Sequence, residues 1–367
     1  MKNMLLASTA LVAFAGAAAA EVSFTGDVTV GYNDDVEDGF YYDAGVDVGL
    51  SQALDNGLTA AASFDLNIID ENGRPNGTDV NFDDWEMSLS SDTAGLHFGV
   101  TDFAAETHWQ SAGDMGADNF SDASDEIVLR GDLSFGNVDA SVSYAVADDN
   151  GVEADDDFTQ LSLGVVGTFG NFTVGMAYQE ASGLFGGVSG SVANGDYVDA
   201  EVLGLFAQTS VAGFDVELAY AENSTAGTDS TGIEVGYTVG DITLGAYYVM
   251  ESVANDAMGV SVAYASGPVS VAAYYNDDRG NDEYALQGSY DVGNGLVITA
   301  GMIDGSSVTD NDFANYVVAE YDLGGGASVL ASFADSNNAA TATSDDIDTF
   351  GGYELKHGTT VEISFAF

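Results

Sequence analysis

The chain has no cysteine, only two prolines in 367 residues, and five Lys plus Arg against 60 Asp plus Glu. The missing cysteine excludes disulfides, thiol nucleophiles and Cys-based zinc sites. Scarce proline suits long strands whose N–H groups are all engaged. The formal net charge of -55 excludes nucleic acid as a partner, because phosphates would be repelled. Past residue 20 there is no long apolar run, since Asp, Gly, Ser or Thr interrupts every stretch within a few residues. A spanning helix needs about 20 apolar residues in a row and is therefore excluded. Yet 46% hydrophobic residues, with 11% aromatics, is too much for a disordered acidic tail. Strand alternation reconciles the two, because it hides hydrophobicity from any averaging window. Two readings of the acidity stay open together: a field that concentrates cations, and a hydrated surface of the kind salt-adapted organisms make.

The amino terminus has its own composition. Lys2 is followed by an apolar stretch from Met4 to Ala15, broken only by Ser8 and Thr9, and by the small residues Ala18, Ala19 and Ala20. This pattern predicts a cleaved signal peptide over 1–20 and a single mature domain over 21–367.

The carboxyl terminus shows the architecture most plainly. Val361, Ile363, Phe365 and Phe367 alternate with Thr360, Glu362, Ser364 and Ala366. A period of two places these sets on opposite faces of a strand. The second set is too polar to face lipid, so it fits a water-filled lumen, with the apolar set outside. The same alternation recurs at Phe172, Val174, Met176 and Tyr178, at Phe214, Val216, Leu218 and Tyr220, and at Ile242, Leu244, Ala246, Tyr248 and Met250. Aromatics near both ends of the apolar face match interfacial girdles.

Short turns share a vocabulary of Gly with Asn or Asp, as at Asp55-Asn56-Gly57, Gly136-Asn137, Gly170-Asn171, Gly240-Asp241 and Gly293-Asn294-Gly295. These residues supply the positive φ of hairpin turns. Longer loops rich in Asp, Asn, Gly and Ser are expected at 33–39, 70–79, 148–156, 182–196, 223–230, 304–312 and 336–346. Short turns at one rim and long loops at the other predict an all-β, transmembrane antiparallel β-barrel. Strands are expected to begin near residues 21, 40, 57, 79, 95, 126, 137, 157, 171, 197, 213, 229, 241, 256, 268, 283, 296, 313, 327 and 358. The range is 16–20 strands, because a hairpin or two could belong to loops. A barrel of that size encloses an aqueous channel.

One connection is out of scale. From Asp102 to Asp125 there is no strand alternation, and a long irregular segment inside a compact fold is usually functional. It follows the fifth strand and is the third long loop. Within it, Trp109 is expected to pack the loop against the wall. On the following strand, Arg130 alternates with Leu129 and Gly131 and points inward together with Asp132.

At these residues the chain resembles the general porins of Gram-negative bacteria, in their alphaproteobacterial branch. The matching stretches are the mature start Glu21-Val22-Ser23-Phe24-Thr25-Gly26-Asp27, the run from Tyr321 to Val329, the run from Phe169 to Gly175, and the terminal Phe367. The resemblance implies a homotrimer in the outer membrane, in contact with lipid and lipopolysaccharide. It implies that Phe367 is presented to the barrel-assembly machinery. It also implies a third loop folded into the lumen, whose carboxylates face basic side chains across a constriction. Carried over, the constriction residues are Asp102, Glu106, Asp114, Asp118, Asp122 and Asp125, with Arg130 and Asp132 on the wall. The basic cluster of the family is nearly missing here, with only Arg130 and Arg279 available, which predicts a stronger preference for cations. The strand tally also exceeds the sixteen usual in that family. Arg74, in the second long loop, would latch onto a neighbouring subunit.

No cofactor is expected. At Asp148-Asp149-Asn150 and Asp155-Asp156-Asp157 a hydrated loop and a weak Ca²⁺ site both stay open, although neither fits the twelve-residue calcium-loop pattern. The histidines His97, His108 and His357 lack metal-ligand spacing, and His97 points to the lumen. The expected function is passive diffusion of ions and small hydrophilic solutes, without a chemical step. The alternatives are a secreted acidic β-rich surface protein and an outer-membrane hydrolase barrel.

Overall fold

The computed structural model describes residues 20–35, 39–69, 81–122, 126–147, 159–181, 198–253, 255–305, 313–336 and 347–367. Their strands are β1 (Glu21–Asn33), β2 (Gly39–Ala53), β3 (Thr59–Ile69), β4 (Asn81–Ser90), β5 (Ala94–Val100), β6 (Ile127–Phe135), β7 (Val138–Ala147), β8 (Thr159–Phe169), β9 (Phe172–Gln179), β10 (Val202–Val211) and β11 (Phe214–Asn223). There follow β12 (Thr228–Val239), β13 (Ile242–Glu251), β14 (Ala257–Ser266), β15 (Val269–Asp278), β16 (Asn281–Gly293), β17 (Leu296–Gly305), β18 (Ala314–Gly324), β19 (Ala327–Ser336), the short pair β20 (Ile347–Asp348) and β21 (Glu354–Leu355), and β22 (Gly358–Ala366). One helix, α1 (Ala104–His108), lies between β5 and β6. No helix among the described residues is long and apolar enough to cross a membrane.

Twenty of the strands form one antiparallel sheet in which each neighbour follows in sequence; β20 and β21 pair separately. The ring closes through β22, which pairs with β19 on one side and β1 on the other. Closure leaves no open edge, the only way a sheet can sit in hydrocarbon with every backbone group satisfied. The even strand number brings both chain ends of the barrel to the rim of short turns.

Alternation sorts the side chains. The cross-strand partners Met176 and Leu205 are exposed and line up, with half-buried Tyr220 beside them, along one apolar face. Ser, Gly, Glu and Gln occupy the other. Among the described residues the barrel therefore has no continuous apolar core. Its buried apolar residues gather where segments from loops rest on the polar face: around Ala112, Met115 and Phe206, around Ala105, Phe120 and Val202, and around Tyr316, Val318, Ile347 and Leu355.

The tight turns use the conformations that the sequence called for, with positive φ at Gly57, Gly136, Gly170 and Gly240. The expected strand starts agree with those found to within a few residues, with one larger departure: the strand expected near 197 begins at Val202. Val198 and Ala200 instead act as carbonyl acceptors for Gln160 and Gln179, so this stretch is held by side chains rather than by the ladder. A second correction concerns 223–230, expected as a long loop. Strands β11 and β12 run into it and leave only residues 224–227 as a turn, where Asn223 Oδ1 accepts from the Ala226 N–H. The β15–β16 connection is shorter still. The two rims thus differ less than alternation and composition implied. The pair β20–β21 was not expected. The loops at 70–79, 148–156 and 182–196, with Arg74 and both Asp clusters considered for Ca²⁺, lie outside the described residues, as do most of 304–312 and 336–346.

The two faces should respond oppositely to charge. Leu218→Arg, on the exposed apolar face near the middle of β11, should destabilise the bilayer-folded state by about 2–4 kcal/mol. Glu217→Arg, one residue away on the polar face, should cost much less. Urea titrations of both variants in lipid vesicles check this.

Candidate functional site: the loop between strands 5 and 6

The third long connection, here called loop 3, runs from Thr101 to Glu126 and is described except for residues 123–125. It lies against the polar face of β7–β13, and side chains of that wall hold its backbone. The N–H groups of Ala104 and Ala105 open α1 and have no acceptor within the helix. Each donates at 2.8 Å to a wall hydroxyl, Ser143 and Ser162 respectively. Further along, the Ala117 N–H donates to Ser230 Oγ at 3.0 Å and the Ser121 N–H to Gln179 Oε1 at 2.7 Å. The Gly113 and Gly116 N–H groups donate to Glu234 and Glu251. Six loop amides thus find their acceptors on five strands.

Close approach requires small wall residues. A Cβ added to Gly164, Gly204 or Gly232 would overlap Ala104 O, the Trp109 ring or Ala112 O. These glycines sit at inward positions of β8, β10 and β12, where the loop backbone and an indole take the space of a side chain. Trp109 fulfils the anchoring expected of it. Its ring packs 5.5 Å from Phe120 and 6.1 Å from Phe206, centroid to centroid, and its Nε1–H donates to Asp118 at 3.0 Å.

Two arginines fix the ends of the loop. At the root, Arg130 Nη1 donates to Asp102 O at 2.8 Å and to Thr107 Oγ1, while its Nε lies 3.1 Å from Asp132 Oδ1. Asp132 also meets His97 Nε2 at 3.1 Å, and His97 Nδ1 meets Glu86 at 2.7 Å. At the far end, Arg279 donates to Asp114 O at 3.0 Å and to Glu251 at 2.9 Å, and it pairs with Asp278. Arg279 has a positive φ of 54°, a conformation uncommon outside glycine that places its guanidinium against the loop.

The sequence-expected acids separate into groups. Asp102, Glu106, Asp114 and Asp122 are exposed on loop 3, whereas Asp118 is half-buried beneath Trp109. Asp114 is bound by Arg279 and Asp132 by Arg130. Asp125 lies outside the described residues. Glu106 is open to solvent yet has protein on several sides. That partial desolvation, followed by the charges of Asp122, Asp102 and Asp118, raises its pKa above the ordinary carboxylate value. Burial raises that of Asp118 too, against the opposing hydrogen bond from Trp109. His108 is pushed the other way, mainly by burial, and contacts Ser141 Oγ at 2.8 Å. It is therefore neutral near pH 7 and adds no positive charge.

Sequence reasoning missed the wall acceptors Ser143, Ser162, Gln179, Ser230, Glu234 and Glu251. Their signal was weak but present: each is an inward polar position on its strand.

A closed antiparallel barrel with an apolar outer face, a polar inner face and a loop clamped to the wall defines a transmembrane β-barrel of the channel-forming kind. The family profile described as Gram-negative porin matches residues 7–279, about three-quarters of the chain, and the chain belongs to that family. No curated protein matches it in sequence. Solved structures similar to it include a triple mutant of Rhodopseudomonas blastica porin. It is 17% identical, covers 73% of this chain and 98% of its own, and has a TM-score of 0.49. A second mutant of that porin is 16% identical with the same coverage and TM-score.

The wall glycines provide a test of loop seating. In a Trp85→Phe background Trp109 is the only tryptophan, since the chain has two. Gly204→Val should displace its ring and shift its emission to the red, while the barrel still shows heat-modifiable migration. An unshifted spectrum would mean that the ring does not depend on this gap.

Proposed function

We propose that this outer-membrane porin is a water-filled, cation-preferring channel for passive diffusion of ions and small hydrophilic solutes, narrowed by loop 3. The observation that carries the reading is the division of charge on that loop. Its exposed carboxylates, Asp102, Glu106 and Asp122, face open space. Arg130 and Arg279 are engaged in holding the loop. The polar face against which the loop rests is the lumen wall in this reading, because the opposite face is uniformly apolar and exposed.

Selectivity then comes from width and field. A cation passing loop 3 meets several negative groups and no row of bases opposite them. An anion meets the same groups and is repelled by them. Nothing in the path requires a covalent step or coupling to an energy source. Residues 1–20 serve as the export signal, the mature barrel assembles as a homotrimer among lipid and lipopolysaccharide, and Phe367 is read by the assembly machinery. Phe367 is exposed at the rim of the closed seam, where its N–H donates to Gly26 O at 2.8 Å and its ring stacks on Phe365 with centroids 6.4 Å apart. Asp102, Glu106, Asp114, Asp118, Asp122 and Asp125, with Arg130 and Asp132, form the narrowed zone. Within it Asp114, Asp118 and Asp132 act chiefly by fixing the loop.

Reversal potential under a salt gradient in planar bilayers tests the proposal. Cation preference is expected at low salt and should weaken toward 1 M, where the screening length falls to about 3 Å. Acid should weaken it too. The charged form of a carboxylate is the deprotonated one, and Glu106 and Asp118 have raised pKa values, so they lose charge first as pH falls. The decline should therefore begin above the ordinary carboxylate range, and Glu106→Gln should remove part of that early phase. Anion preference at neutral pH would overturn the charge argument.

A further inference from the structure

A second segment rests on the polar face, away from loop 3. Residues Ile347–Leu355 make a small hairpin in which Ile347 pairs with Leu355 and Asp348 with Glu354. Ile347 and Leu355 are buried against Ala314, Tyr316 and Val318 of β18 and Ala334 of β19, with Leu330 beside them. These wall residues alternate with Val317 and Phe333, which are exposed on the lipid-side face. The hairpin therefore covers an apolar patch on the inner wall, which would otherwise face water.

Polar contacts fix it in place. The Phe350 N–H donates to Tyr316 Oη at 3.1 Å, and that hydroxyl donates to Gln287 Oε1 at 2.6 Å. Tyr353 Oη donates to Glu320 at 2.7 Å. The Phe350 ring tilts against Tyr274 with centroids 4.9 Å apart. The hairpin thus spans β15–β19, whereas loop 3 spans β7–β13. On its far side lies a cleft of about 350 Å³ lined by Asp43, Glu354, Lys356 and Glu362. Lys356 Nζ stands 4.8 Å above the Tyr41 ring. The hairpin also lies beyond residue 279, where the family match ends.

We propose that this hairpin is a second narrowing element of the channel, so that ions pass between it and loop 3, with Glu354 and Lys356 lining their path. The proposal rests on the channel reading. Glu354 is exposed while its neighbour Leu355 anchors the hairpin, so the acid can be changed without loosening the fold. Lys356, held over an aromatic ring, sets a cation beside Glu354 in a lumen otherwise dominated by acids.

The chain has no cysteine, so a single introduced thiol reports one position. Glu354→Cys, reconstituted in planar bilayers, would be treated with a positively charged methanethiosulfonate reagent. Asp114→Cys on loop 3 and Val317→Cys on the outer face serve as controls. Labelling at position 354 should lower unitary conductance by about a third or more and reduce cation preference, since bulk and positive charge then sit in the path. The Val317→Cys protein should keep its original steps. Unchanged steps and reversal potential in a Glu354→Cys protein shown by mass to be labelled, alongside a response from Asp114→Cys, would overturn the hairpin proposal alone. Absence of steps from the folded, unsubstituted protein would overturn the channel reading as well. Glu354→Gln gives an independent measure that needs no labelling: cation preference should fall, and an unaltered reversal potential would count against the proposal.

Discussion

The pairing of β22 with both β19 and β1 is the constraint on which the other features depend. It runs from Asp27 with Ala366 to Asn33 with Thr360, and it turns a sheet into a ring without edges. In hydrocarbon an unpaired backbone group costs several kcal/mol, so an open seam would be untenable. Once the ring is closed, side-chain alternation has only two destinations, lipid and water. That frees one face from packing duties and leaves polar residues available to capture loops. Asn33 shows the link directly: paired in the closing ladder, it also donates from Nδ2 to His357 O at 2.8 Å, tethering the chain just before the last strand.

The captured loops follow a common rule. Each brings its own apolar residues and finds a wall prepared for them. For loop 3 the preparation is subtractive: glycines at 164, 204 and 232 leave room, and hydroxyls and carboxylates accept the loop amides. For the hairpin it is additive, since Tyr316, Val318 and Leu330 supply apolar area where the rest of the wall is polar. Both solutions bury little surface by the standard of a globular core. They hold because each buried loop N–H described above has an acceptor, and an unpaired one would cost about 1–3 kcal/mol.

Strands were legible because their signal repeats with period two and is punctuated by Gly with Asn or Asp. Loop 3 was legible as an interruption of that signal, and Trp109 as its anchor. The hairpin was not, because Ile347-Asp348 and Glu354-Leu355 are too short to show a period and sit in an acidic, Ala- and Thr-rich stretch. A trace existed in β18, where Tyr316, Val317 and Val318 make both faces apolar and so imply a cover on the inner one. The strand start at Val202 was missed because Val198 and Ala200 continue the alternation while their carbonyls bond to side chains. The division of labour among the loop acids was equally hidden. Asp118 and Asp122 look alike in sequence, yet only Asp118 meets an indole N–H.

The acidity of the chain acquires a structural sense from how its carboxylates are satisfied. With so few cations, most wall acids cannot form ion pairs. Neutral donors take that role: Tyr41 donates to Glu362, Tyr274 to Glu283 and Tyr353 to Glu320, while the Gly113 amide of loop 3 donates to Glu234. A neutral donor meets the hydrogen-bonding need of a carboxylate but leaves its charge uncancelled. An arginine would meet the need and cancel the charge together. Replacing ion pairs by tyrosine and amide donors thus orders the wall while preserving the negative field within it. Near the loop the arginines are used where position matters more than charge, at the root and the far end of loop 3. Order and field, which compete in a wall built from ion pairs, are separated here.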